Sequence, residues 1–327
     1  MKPLYLFLIT LALISNSISE SPPSYYSNLL SSIRKDAIET ILSALSKKIP
    51  ATLTQMADSF AKFRDAFSLN EEESAYLIYR WIGEKFEFEC NSDYSVHQFP
   101  NEVYKSKQGN YIGFTSLFNY IATYLNIKVV TISGKIKTFS DDIKKEAAKT
   151  VNGYWNAIYI NNTYYLLDTV SGGGFCLSGY QKINRDFYFG TKPEFFIRIF
   201  FPNDDKWQLL NKKISLQTFE SWPFVHDRFY LFGFDTVSPD TNFIDVSNGQ
   251  KLIITFNKEN IFMFVVKFQN YEGEFVRYEK NINISNGKVE ITFDGEFTSK
   301  NYHSVLVFFK NDSTQKNFKS ILIFKLK

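Results

Sequence analysis

From Asp36 to Ile49 the chain reads DAIETILSALSKKI, which sets Ile38, Ile41, Leu42, Leu45 and Ile49 at intervals of three and four. That spacing predicts one buried helical face, and Pro50 ends it. A second helix is predicted from Asn70. Its side chain can cap the open amides, Glu73 completes a capping box, and Glu71 and Glu72 suit the positive end of the helix dipole. Ala75, Ile78, Trp81 and Ile82 form its apolar stripe. A third helix, from Gly113 to about Leu125, buries Phe114, Leu117, Phe118, Ile121 and Leu125, and IKVVTISG then changes to strand character.

Beyond a charged connector from Asp141 to Lys149, the apolar runs YWNAIYI and TYYLLD flank Asn161-Asn162, a hairpin signal. Helices followed by antiparallel strands indicate an α+β domain. A stretch rich in Phe and Tyr continues to Gly233, and there the texture alters. FIDVSNGQKLIITFN, FMFVVKFQ, EFVRYEKNINI, KVEITFD, HSVLVFFKND and KSILIFKLK are short β-rich runs broken by Asn, Gly and Asp. Six or seven such strands predict a β-sandwich, with the boundary near residues 230 to 238.

The length of 327 residues and apolar content of 44% allow two domains with a core each. A net charge of +3, spread along the chain, argues against a nucleic-acid partner. The opening MKPLYLFLITLALISNSISES combines Lys2, an apolar run from Leu4 to Ile14 and small residues at Ser17 and Ser19, the pattern of a secretory signal peptide. That run is short for a membrane span, so the mature chain is expected in the secretory lumen or outside the cell, without a transmembrane segment. Asn161, Asn283 and Asn311 each open a glycosylation sequon, which fits that route. Cys90 and Cys176 form either one disulfide or two buried thiols, and the sequence leaves both open. Together with His97, His226 and His303 they make no zinc spacing. Ser171 to Phe175, SGGGF, reads as a flexible turn rather than a dinucleotide loop, so no cofactor is expected.

The helix AYLIYRWIGEKFEFE, the turn Gly109-Asn110-Tyr111-Ile112-Gly113-Phe114, the hairpin ending at Asp168 and the segment FFIRIFFPNDDKWQLLNKKISLQTFESWPFV resemble the kyphoscoliosis-peptidase branch of transglutaminase-like proteins. The resemblance runs from about Glu71 to the C-terminus. It implies an α+β fold: a papain-like transglutaminase core followed by an immunoglobulin-like β-sandwich. The expected division is a signal peptide over 1–19, an N-terminal helical segment over 20–66, a transglutaminase-like domain over 67–232 and the sandwich over 233–327.

Such proteins carry Gly-x-Cys-x-Gly-(Phe/Tyr) opening a helix, His-Ala-Trp-Asn on a strand, and an Asp ending the next strand. The chemistry explains the trio. A helix N-terminus and a neighbouring imidazolium lower the thiol's pKa, and the carboxylate orients the imidazole, so a thiolate can attack an amide carbonyl. Matching the motifs puts Tyr111 in the nucleophile's place and Gly153, of Gly153-Tyr154-Trp155-Asn156, in the base's place; Asp168 alone remains. A phenol with a reference pKa of ~10 and no base is a poor acyl-transfer reagent. The resemblance therefore implies a pseudoenzyme that binds or scaffolds proteins or peptides, through a groove lined by Tyr111, Tyr154, Trp155 and Asp168. Two other readings stand beside it: an active peptidase or transamidase with a relocated Cys90, served by His97 and Asp168, and a structural matrix or coat component. Each residue also has a structural reading. Asp168 can cap a turn, Tyr111 can fill the volume a thiol vacates, Trp155 can be core, His226 a cap or surface residue, and His303 a solvent-facing strand residue.

Overall fold

The computed structural model describes residues 29–90, 97–139, 148–177, 179–257, 263–310 and 318–327. The leader over 1–19, residues 141–147 of the charged connector and the sequon at Asn311 lie outside these residues.

Three helices come first: α1 (Lys35–Lys47), α2 (Leu53–Phe67) and α3 (Glu71–Lys85). The α3 capping box forms as its sequence predicts. Asn70 Oδ1 accepts from the Glu73 amide at 2.8 Å, and Glu73 Oε2 accepts from the Asn70 amide at 3.2 Å. Glu73 is buried and also receives Arg34 in a fork, Nε to Oε1 and Nη2 to Oε2 at 2.6 Å each. The hydrogen bond from Arg34 holds the Glu73 carboxyl below the usual carboxylate range, against the opposing effect of burial. The stripe expected along α1 is buried at Ile38, Ile41, Leu42 and Leu45, whereas Ile49 is 57% exposed because the helix ends at Lys47 and the chain turns extended. The pattern does not single out α2, yet its start carries the same kind of signal. The Thr52 hydroxyl accepts from the Gln55 amide, and the Gln55 side chain accepts from the Thr52 amide. Across these helices Trp81 packs edge-on to Phe60, at 5.3 Å between ring centres, and to Phe86, at 4.9 Å.

The two-residue strands β1 (Glu87–Phe88) and β2 (Gln108–Gly109) pair in parallel, with α4 (Pro100–Ser106) between them. Directly after β2 comes α5 (Tyr111–Tyr124). It packs against the long strands β3 (Lys128–Phe139) and β4 (Ala148–Ile160). Next, β5 (Thr163–Leu167) closes the expected hairpin on β4, Ile160 facing Thr163. The two turn residues, Asn161 and Asn162, have φ of 49° and 63°, the left-handed pair that a two-residue hairpin requires.

After β5 come α6 (Thr169–Gly173), the small hairpin β6 (Gly174–Leu177) and β7 (Gly179–Lys182), and α7 (Pro193–Phe196). Then β8 (Phe200–Pro202) joins the first sheet, whose order is β5-β4-β3-β8, antiparallel throughout. The link to the second half is α8 (Leu216–Ser221), β9 (Phe224–Val225) and α9 (Asp227–Leu231).

The remaining strands are β10 (Phe234–Ser238), β11 (Phe243–Ile244), β12 (Lys251–Phe256), β13 (Met263–Asn270), β14 (Phe275–Tyr278), β15 (Ile282–Ser285), β16 (Lys288–Thr292), β17 (Tyr302–Lys310) and β18 (Lys319–Leu326). They form two sheets, β10-β12-β16-β15 and β11-β18-β17-β13-β14. Leu252, Ile254, Val289 and Ile291 on the first and Val266, Phe268, Val305, Val307 and Phe309 on the second are buried, which gives the sandwich its core. Two of the quoted runs each hold two strands, β11 with β12 and β14 with β15. Moreover, β9 pairs antiparallel with β18, so a strand that precedes residue 233 is tied into the larger sheet. On the outer side of that sheet, Lys267, Leu306, Phe308 and Ser320 turn toward the first domain and line a space between the two.

Candidate functional site

Tyr111 opens α5, with Asn110 as the cap: Asn110 Oδ1 accepts from the Gly113 amide at 3.0 Å. The turn is tight. A β-carbon on Gly113 would sit 2.1 Å from the His97 carbonyl oxygen, so only glycine fits there. Tyr111 is 7% exposed, and its ring lies 4.6 Å from that of Phe88 on β1. A phenol thus stands at a helix N-terminus, packed against an aromatic wall.

Gly153 lies on β4, opposite Gly134 of β3. A β-carbon built on it would be 3.7 Å from Tyr111 Cγ, so positions 111 and 153 are neighbours in space. The same β-carbon would lie 2.1 Å from Ile136 Cδ1 and 2.8 Å from Ile136 Cγ1. Ile136, 1% exposed, therefore fills the volume that any side chain at 153 would need.

Asp168 is fully buried and serves as the N-cap of α6. Its oxygens accept from the amides of Val170, at 3.3 Å, and Ser171, at 2.9 Å. Burial raises its pKa to about 6, while those hydrogen bonds and the Arg185 guanidinium pull the other way. Next to Gly153, Trp155 is 1% exposed and packs on Phe200 at 5.4 Å; its Nε1 has no hydrogen-bond partner among the described residues. Neither Trp155 nor Asp168 lines an open surface. Tyr154 is half-buried, so of the four residues expected to line one groove only Tyr111 borders the open space described below.

Cys90 and Cys176 are bonded to each other, with 5.7 Å between their α-carbons, and the bond ties the end of β1 to β6. His97 pairs through Nδ1 with the Glu89 carboxylate. His226 occupies the N-cap position of α9, where its carbonyl accepts from the Phe229 amide at 2.9 Å, but its side chain makes no cap bond and is not on the surface. It is half-buried against the Phe224 ring, edge to face at 4.8 Å, and burial pushes its pKa down to about 3. His303 is half-buried on β17, with its Nδ1 at 2.7 Å from the Ser304 hydroxyl. Of the sequon asparagines, Asn161 is exposed at the hairpin turn, where its amide donates to Glu72 at 2.9 Å, and Asn283 is exposed on β15. Among the described residues no group of acidic, His and Cys side chains is arranged to hold a metal, and no helix is long and apolar enough to cross a membrane.

Beside Tyr111 opens a cavity of about 480 Å³ between the two domains. The first domain contributes Ile136, Lys137, Val170, Arg185 and Tyr188, and the sandwich contributes Lys267, Leu306, Phe308 and Ser320. These residues come from many separate segments, and no motif announces them. Ile136 was equally hidden, because its role depends on the pairing of β3 with β4.

Residues 59–169 match the family model of the transglutaminase-like superfamily, and residues 216–327 match that of the KY-like, immunoglobulin-like domain. The chain thus carries a transglutaminase-like domain followed by a KY-like immunoglobulin-like domain. It is 27% identical over 208 residues to the kyphoscoliosis peptidase of Mus musculus, an alignment covering 62% of this chain and 32% of that protein. To Hillarin of Drosophila melanogaster it is 25% identical over 182 residues, covering 49% of this chain and 22% of that protein. The chain thus spans about a third, or less, of the length of these relatives. A crystal structure of a TGase aligns with 45% of this chain and 39% of its own, at 11% identity and a TM-score of 0.27.

Proposed function

We propose that this chain is a secreted transglutaminase-like pseudoenzyme that acts by binding or scaffolding proteins. The observation that carries the reading is the arrangement at Tyr111, Gly153 and Ile136. The position that the motif resemblance matches to the nucleophile holds a buried phenol, the position it matches to the base has no side chain, and the space a side chain there would need is taken by Ile136. Acyl transfer needs a polarisable nucleophile and a proton carrier in contact, and each alone accounts for most of the rate in comparable triads. Asp168 supports the same reading, since its oxygens cap α6. The alternative built on Cys90 is disfavoured because a sulfur joined to Cys176 is no thiolate.

The secreted destination rests on the leader pattern, the cystine and the exposed sequon asparagines at 161 and 283. The division of the chain at 1–19, 20–66, 67–232 and 233–327 belongs to the same proposal. The experiment is expression through a eukaryotic secretory pathway, followed by thiol-probe labelling of the unreduced protein from the medium. A glycosylated product without reactive thiol is expected. Retention inside the cell, or one rapidly labelled cysteine, would overturn the reading.

A further inference from the structure

We infer that the interdomain cavity beside Tyr111 is a binding site for a small amphipathic anion: one anionic head group, such as a carboxylate, on an apolar tail. At about 480 Å³ the cavity is in the size range of small-molecule sites. Most of its wall is apolar or aromatic, from Ile136, Val170 and Tyr188 on one side to Leu306, Phe308 and Phe275 on the other. Among the described residues, the charged ones in that wall are all cations: Lys137, Arg185, Arg228 and Lys267. No Asp or Glu lines the cavity among the described residues.

The four cations are not equivalent. Arg185 is held by Asp227, Nη1 to Oδ2 at 3.1 Å, and Lys137 Nζ already donates to the carbonyls of Phe219 and Trp222 at 2.6 and 2.8 Å. Among the described residues the side chains of Arg228 and Lys267 form no ion pair with a carboxylate, although the Arg228 backbone amide donates to Asp227 Oδ1 at 2.9 Å. Lys267 Nζ instead lies over the Phe308 ring at 4.6 Å and the Phe275 ring at 5.7 Å, where burial lowers its pKa and the Arg277 guanidinium adds to the effect. An ammonium held over aromatic rings at an apolar cavity, with no carboxylate beside it, is a ready partner for the head group of a bound anion. A second and independent sign comes from the wall. Ser320 is 8% exposed, and its hydroxyl has no hydrogen-bond partner among the described residues. A buried donor without an acceptor is costly, and an anionic oxygen would satisfy it. Exposed Phe275, at 44%, marks the apolar rim. The inference stands whether or not the neighbouring triad positions are inactive, because none of its terms involves turnover.

The test uses the full folded chain with its disulfide intact. Dodecanoate, dodecanol and acetate are titrated by calorimetry below the micellar range. Dodecanoate should saturate a single site with a micromolar Kd, dodecanol should bind about tenfold more weakly, and acetate should not bind. Lys267→Met and Arg228→Leu should each weaken dodecanoate about tenfold and leave dodecanol unchanged. Leu306→Trp, which fills the cavity, should remove binding of both. If that variant does not fold, the two charge variants decide. Equal affinity for the acid and the alcohol, or unaltered affinity in both charge variants, overturns the proposal. So does a peptide with an apolar C-terminus that binds here without being displaced by dodecanoate.

Discussion

Ile136 stands where a side chain at Gly153 would have to be: a β-carbon on Gly153 would meet Ile136 Cδ1 at 2.1 Å. The two residues sit on adjacent antiparallel strands, β3 and β4, displaced from direct opposition because Ile136 faces Val151 and Gly153 faces Gly134. The absence of a side chain on one strand and the bulk on the other are complementary. Placing a side chain at 153 therefore asks for a change at 136 as well.

That complementarity predicts a strong coupling. Gly153→Ala should destabilise the chain by roughly 1–3 kcal/mol through overpacking. In an Ile136→Ala background, which itself costs about 2–5 kcal/mol as a large-to-small core change, the Gly153→Ala penalty should vanish or reverse. Urea unfolding of the four chains of the cycle measures this. Additive effects would show that the two positions do not compete for space.

Asp168 offers a way to separate a capping carboxylate from a catalytic one. Its pKa in the folded chain, about 6, exceeds the ~3.9 of an unfolded aspartate. Between those values the folded state holds the extra proton, so the stability this group contributes is present at low pH and is lost as pH rises through about 6. Asp168→Asn keeps an acceptor for the α6 amides and removes the buried charge. It should abolish that part of the pH dependence and match or exceed the wild type at neutral pH. Asp168→Ala should instead cost about 1 kcal/mol, the usual loss of a helix cap. Thermal melts from acid to neutral pH check both.

Lys137 titrates in the opposite sense. Burial, aided by Arg198 and opposed by Asp240 and Glu220, lowers its pKa to about 7, far below the ~10.4 of an unfolded lysine. Above about 7 the unfolded state binds the additional proton, so stability rises with pH until the unfolded lysine also titrates. Compared with Lys137→Met, the wild type should gain on the order of 1 kcal/mol between about pH 7 and pH 8. Parallel slopes in denaturation series across that range would contradict the assignment.

The cystine spans a sequence separation of 86 residues, from the end of β1 to β6. A cross-link across a loop of that length restrains the unfolded chain strongly, so Cys90→Ser with Cys176→Ser should lose about 2–4 kcal/mol. Comparing denaturation midpoints of the wild type, with and without reductant, and of the double variant gives the answer. Equal stability in all three would mean that the bond does not form in solution.

What the sequence disclosed follows from the range of the interactions involved. The α3 box at Asn70 and Glu73 and the hairpin at Asn161-Asn162 are made by residues within a few positions of each other, and both were legible. The Thr52 and Gln55 box that starts α2 was just as local, but no charged first turn drew attention to it. Matching motifs paired Tyr111 with Gly153, yet it could not say what fills the space beside them, because Ile136 arrives through strand pairing. The core reading of Trp155 and the capping reading of Asp168 were open to the sequence, whereas the same limit hid the half-buried setting of His226 and the cavity shared by the two domains. Each depends on surfaces brought together from distant parts of the chain.

The account rests on the absence of acyl-transfer chemistry, and turnover measures that most directly. Purified full chain, with and without mild reductant, is incubated with fluorogenic peptide amides and with a glutamine peptide plus an amine donor. The account predicts rates indistinguishable from the buffer blank under all conditions. Reproducible turnover that disappears in Cys90→Ala would contradict it.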